Sequence, residues 1–296
     1  YGLGENITFH ADAEDNIALG ANALNSTTGV ALRNIGIGNN AGTALTTSDD
    51  NVAIGVDTLL THKSGSNNVA IGSDAMDGTG ATGDTGAGST DNIAIGKDAL
   101  GGAWANTQSD YNIAIGSSAL GGGLDNVDGS VAIGASALTA LTSGAKNTAI
   151  GYQSLLALTT GANNIAIGYE ALKVVNAGES NNVAIGVGAM AAVDEGGSNN
   201  SDANIAIGTD ALLGGAADIA KCIAIGYGAL DATSTNNQEG TIAIGHEALT
   251  ALTDGAKNLA IGYQALATMT TGSSNIAIGS NVLDAAARGE TGNIAI

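Results

Sequence analysis

The sequence predicts an all-β protein, a parallel β-solenoid or β-roll of about sixteen coils of 17–18 residues. Three observations carry this. One pentapeptide, in full Asn-Ile-Ala-Ile-Gly as at Asn164–Gly168, recurs 17 times, beginning at Asn6, Asn16, Asn34 and so on to Asn293. Its spacing is most often 17 or 18 residues. Finally, the 296 residues hold 46 glycines and no proline, so every stacked coil keeps its backbone N–H donors.

Each part of the repeat has a physical reading, counting the Asn as position zero. Positions zero to three form a short strand, because Ile, Val or Leu at positions one and three alternate with Ala at position two. β-Branched residues suit that pleated surface. In the copy at Asn164, Ile165 and Ile167 are expected on the buried face, with Ala166 on the other. Gly168 ends the strand by permitting a positive φ. Positions seven and eight are often Ala-Leu, as in Ala171-Leu172, and suit either a second short strand or a helical turn. Position eleven is often apolar (Leu45, Leu141, Leu158, Leu252, Met269), and a polar turn such as Thr160–Asn163 follows. A full helix has no room in so short a unit.

A unit of this size cannot bury its own apolar face and must stack on its neighbours. Coils at strand spacing would make a rod roughly 80 Å long. Asn at position zero in 14 of 17 copies predicts a ladder of side-chain amides. The Ala face outside would leave an Ala stripe along the rod, and the Ile face outside would leave an Ile stripe. Either exceeds what a soluble monomer exposes, so self-association is expected, with the small Ala residues favouring the first arrangement. Residues 1–296 are expected to be one array belonging to a longer chain or filament, with inserted loops at 77–91, 101–111 and 191–203.

Asn-Ile-Ala-Ile-Gly followed by Ala-Leu resembles the YadA-like head repeat of trimeric autotransporter adhesins, a left-handed parallel β-roll. Similar repeats occur in bacteriophage tail fibres, and the stretch Asn147–Leu155 followed by Thr159-Thr160-Gly161 looks especially like that type. The coil here is several residues longer than in the adhesin heads. The resemblance implies a homotrimer, extracellular display on a cell surface or virion, and a non-enzymatic role in attachment to a surface receptor or glycan.

The chemistry legible in the chain is sparse. With 28 acidic and 8 basic residues the net charge is −20, the wrong sign for nucleic acid. No run of about 18 apolar residues would form a membrane-spanning helix. His10, His62 and His246 lie on separate coils, and no nucleophile elbow, zinc-protease or phosphate-loop motif occurs, so no enzyme is expected. Cys222 takes an Asn position and reads as a tolerated small residue. Trp104 and Tyr111 bracket the second inserted loop; as an exposed pair they would stack on a sugar, and the plainer reading is that Trp104 packs the loop down. Asp84, Asp91, Asp194, Glu195 and Asp202 in the other two loops offer oxygen ligands for Ca²⁺, without EF-hand spacing. Tyr152, Tyr169, Tyr227 and Tyr263 share position five and form a decorated edge, for subunit packing or for ligand contact. The expected function is a structural fibre or adhesin segment. A self-assembling filament subunit and a glycan- or Ca²⁺-binding module are the alternatives.

Overall fold

The computed structural model describes residues 15–26, 31–79, 88–104, 108–175, 178–193, 201–214, 219–232, 238–283 and 289–296. The chain divides into two compact units, Tyr1–Asn147 and Thr148–Ile296. Both are parallel β-solenoids, and no helix occurs among the described residues.

The first unit contains β1 (Ile17–Leu19), β2 (Ile35–Ile37), β3 (Val52–Ile54), β4 (Val69–Ile71), β5 (Ile93–Ile95), β6 (Ile113–Ile115) and β7 (Val131–Ile133). The second contains β8 (Thr148–Ile150), β9 (Ile165–Ile167), β10 (Val183–Ile185), β11 (Ile205–Ile207), β12 (Ile223–Ile225), β13 (Ile242–Ile244), β14 (Leu259–Ile261), β15 (Ile276–Ile278) and β16 (Ile294–Ala295). Within each unit successive strands pair in parallel, and the register matches equivalent positions, as in Ile165↔Val183, Ala166↔Ala184 and Ile167↔Ile185. The strand assignments therefore fall where the pentapeptide placed them.

The facing of the strand is the reverse of the sequence expectation. Ala166, Ala184 and their equivalents are fully buried, whereas Ile165 and Ile167 are 38% and 36% exposed. The reason is space. The interior opposite position two is filled by the column of Leu and Met at position eight, from Leu59 and Met76 to Leu249 and Leu266. At Gly36, which replaces the usual Ala, an added Cβ would lie 2.8 Å from Leu24 Cγ. On that coil even a methyl is crowded, on the others a buried Ala methyl fills the wall, and an Ile cannot enter.

The Ala-Leu segment is neither a second strand nor a helical turn. It is a pair of tight turns in which φ changes sign repeatedly: +142° at Gly168, +55° at Glu170 and +49° at Leu172. The inter-coil ladder nevertheless continues, with Glu170 N–H donating to Tyr152 O at 2.9 Å and Leu172 N–H to Ala189 O at 2.9 Å. A further positive φ precedes each strand, as at Asn163 (+60°).

The predicted amide ladder is present. Asn51 donates from both its backbone N–H (2.9 Å) and its Nδ2 (3.1 Å) to Asn34 Oδ1, and Asn68 repeats both bonds to Asn51. Nδ2 also reaches a main-chain carbonyl, Gly65 O for Asn51 and Ser89 O for Asn68. In the second unit the same ladder joins Asn164, Asn182 and Asn204, and then Asn258, Asn275 and Asn293. Two residues before each Asn, a side-chain oxygen often caps the preceding coil: Asp49 Oδ1 accepts from Leu32 N–H at 2.8 Å and Asp110 Oδ1 from Thr90 N–H at 2.7 Å.

Candidate functional site

Each outward position forms a column, because the register repeats coil by coil. Positions one and three build a double column of Ile, Val and Leu, with one Thr at Thr148, on the outer face of both units. Position five, just past the glycine turn, carries the rings. Tyr152 stacks on Tyr169 with centroids 5.5 Å apart and planes at 17°. Tyr227, His246 and Tyr263 form a second stack, at 5.3 and 5.2 Å with planes at 19° and 15°. These are offset-stack distances. His246, read from the sequence as isolated, thus belongs to the tyrosine column. The signal was its shared position five.

Position six holds polar residues at positive φ and fixes several of the rings. Lys173 Nζ lies 2.9 Å from Glu170 Oε1, which holds the Glu170 carboxyl below its ordinary range and raises Lys173. A hydrogen bond to Glu170 raises the Tyr169 phenol above its usual value. Glu247 Oε2 lies 3.7 Å from His246 Nδ1 and accepts from Gln264 Nε2 at 2.7 Å. In the first unit Asp74 and Asp98 stand on adjacent coils, and desolvation with repulsion from both raises Asp77.

The residues singled out in the inserted loops do not converge. Trp104 is 4% exposed, in the interior column that holds Leu124 on the next coil, and its Nε1 has no hydrogen-bond partner among the described residues. Tyr111 is 64% exposed, at the positive-φ residue before Asn112. Trp104 is therefore an interior ring, as the plainer reading had it, and does not join Tyr111 in an exposed pair. Its signal was its position twelve residues past Asn92, close to the apolar position eleven of other coils.

Asp91 and Asp202 sit in different units. Asp91 N–H donates to Ser66 O, and Asp202 Oδ1 accepts from Ser180 N–H at 2.7 Å as one of the coil caps. Asp84, Asp194 and Glu195 lie outside the described residues, as does His10. Among the described residues no group of three His, Cys, Asp or Glu is placed to hold a metal ion.

His62 and Cys222 are interior. His62 takes the position-eleven column, with Nδ1 2.9 Å from Thr79 Oγ1 and Nε2 3.4 Å from Asn68 Nδ2. Cys222 stands in the amide ladder: its N–H donates to Asn204 Oδ1 at 2.9 Å and its Sγ to Gln238 O at 2.9 Å. Burial pushes the Cys222 thiol up to about 11, far from the thiolate that a nucleophile or metal ligand requires.

No helix among the described residues is long and apolar enough to cross a membrane. No protein-family model matches the chain, and comparison with curated proteins gave no match.

Proposed function

We propose that this chain is a non-enzymatic structural segment of an extracellular fibre or adhesin, displayed on a cell surface or virion, which mediates attachment and self-associates as a homotrimer. The observation that carries the reading is the outward double column of Ile, Val and Leu. In the second unit nine strands at about 4.8 Å spacing, each about 10 Å long, give a face of roughly 400 Å². That equals the largest apolar patch of an ordinary monomer, and such patches are usually functional. Among the nine strands Thr148 is the one polar residue in the face, and chains laid side by side would cover all of it. The likeness of the pentapeptide to adhesin heads and tail fibres supports three copies and the attachment role.

The test is light scattering beside far-UV circular dichroism. The wild type is expected at three times 28.5 kDa. Replacing outward Ile167 and Ile185 with Gln should lower the mass and leave the β signal. Ala184→Gln should instead unfold the coils, since it forces a larger amide into a full wall at a cost of about 2–4 kcal/mol. A monomeric wild type overturns the oligomer.

A further inference from the structure

We propose that the gap in the aromatic column between Tyr169 and Tyr227 is a carbohydrate-binding notch, in which the open face of each ring stacks on the C–H face of a pyranose. This names a ligand class for the attachment role and rests on that reading.

The column is interrupted once in the middle of the second unit. Tyr169 covers one face with Tyr152, and Tyr227 covers one face with His246. Their other faces look towards each other across the coils of Val187 and Thr209. Strands β9, β10, β11 and β12 pair in unbroken register, so the two rings are three strand spacings apart, about 14 Å. Gly188 N–H donates to Tyr169 O, Asp210 N–H to Val187 O and Gly228 N–H to Thr209 O, each at 3.0 Å, so the backbone is continuous beneath the gap. What is missing is side-chain reach: Val187 and Thr209 are far shorter than tyrosine. The result is a shallow notch with two aromatic walls and a floor whose Val187 is 50% exposed.

Its width and polarity choose the ligand. A flat aromatic molecule clamped between two rings needs walls about 7 Å apart, two contact distances. This notch is about twice as wide, so no single ring touches both walls, and there is room for two saturated rings, one against each wall. A pyranose with equatorial hydroxyls has an apolar C–H face to lay on one wall and a polar edge for the rim. The rim offers matching groups. Glu170 flanks one wall and Thr209 the other, and Asp210 Oδ1 leans over Gly188, where an added Cβ would lie 2.5 Å away. Gly188, with no side chain of its own, gives the Asp210 carboxylate room to lean towards the notch. The walls are also fixed in advance, by the two stacks and by the bond between Tyr169 and Glu170, so little side-chain freedom is lost on binding. The Asp210 carboxylate and Glu170, the latter paired with Lys173, accept hydroxyl donors.

The experiment is a glycan array probed with the whole chain, followed by calorimetry with cellotetraose as a neutral probe with equatorial hydroxyls. Binding is expected, weakened at least tenfold by Tyr169→Ala and by Tyr227→Ala, and unchanged by Tyr111→Ala. Val187→Tyr should extend the stack from Tyr169 into the gap and abolish binding while keeping the wild-type circular dichroism, which separates blocking from unfolding. Absence of binding to every arrayed neutral glycan overturns the notch, as does binding that survives Val187→Tyr. If Tyr169→Ala and Tyr227→Ala change the scattering mass and not the affinity, the rings are subunit contacts and the notch is overturned. Sugar binding by a monomer would refute the trimer alone, and a trimer that binds no sugar would refute the notch alone.

Discussion

Position zero works because one amide oxygen accepts two bonds from the coil that follows, while the amide nitrogen reaches a main-chain carbonyl. Ser130, Cys222 and Thr241 replace this Asn and keep only part of the pattern. Ser130 Oγ accepts from Asn147 N–H at 3.3 Å, a long bond, and Cys222 Sγ donates to one carbonyl. The thiol makes the second unit alkali-sensitive. Its value is raised from 9.0 to about 11 in the folded chain, so below pH 9 it is neutral in both states and costs nothing. As pH rises from 9 to 11 the unfolded thiol ionises and the folded one does not, and stability falls by up to about 3 kcal/mol over that window. Cys222→Asn should remove this loss and add a ladder bond to Asn204 Oδ1. Denaturant titrations of both proteins at pH 8, 9.5 and 11 measure it: the gap between them should widen with pH. A constant gap would mean that folding leaves the titration of the thiol unchanged.

The coil as an element was half legible. Its strand, its glycine turn and its amide ladder each follow from a residue type with one physical use. The facing of the strand was not legible, because Ile and Ala are both apolar and alternation alone does not say which set is inside. That was decided by the position-eight Leu column filling the interior. Nor was the backbone of that column legible. Leu172 lies at φ +49°, where a side chain costs about 1–2 kcal/mol, and leucine gives no sign of choosing it. Full burial of a Leu side chain returns about 1.5–3 kcal/mol, enough to hold the turn. Trp104 was ambiguous for a related reason: an aromatic beside an inserted loop serves equally as a surface ring or as a member of the interior column, where it stands. The glycines of the coil should divide by role. At Gly168 an added Cβ would lie 2.2 Å from Gly186 O of the next coil, at φ +142°. Gly168→Ala should cost about 3 kcal/mol or more, from clash and backbone strain together. Gly228, at φ +57° with nothing nearer than 3.6 Å, occupies position six, where Asn40 and Asp210 adopt the same conformation. Gly228→Asn should be neutral or stabilising by about 0.5 kcal/mol. Thermal melts of the two variants check the contrast, and similar losses at both would mean that the glycine turn is not the constraint.

Over the whole molecule, stacking in register brings like charges together. Asp74 and Asp98 occupy equivalent positions on neighbouring coils, about one strand spacing apart, where two unit charges repel by about 1 kcal/mol in water and more beside protein. Lys97 offsets Asp98 at 2.6 Å, Lys221 offsets Glu239 at 2.7 Å and Arg33 clasps Asp50 at 2.7 and 2.8 Å. Eight cations cannot answer 28 carboxylates, and these pairs are exposed to solvent, which screens them and leaves them little weight. Repulsion therefore outweighs attraction, and screening should stabilise the protein. The range of the field contracts from about 30 Å at 0.01 M salt to about 3 Å at 1 M, below the spacing of the coils. Raising sodium chloride from 10 mM to 0.5 M at neutral pH should lift the melting temperature by about 5 °C or more, equivalent to about 3 kcal/mol for a chain of this size. The same screening favours side-by-side association, since each chain carries a net charge of −20 to the interface. Scattering mass followed against salt at fixed protein concentration separates the two effects: a melting temperature that rises while the mass is constant belongs to the coils themselves. A melting temperature that falls with salt would show that the exposed ion pairs, and not the acidic columns, dominate the electrostatics of the molecule.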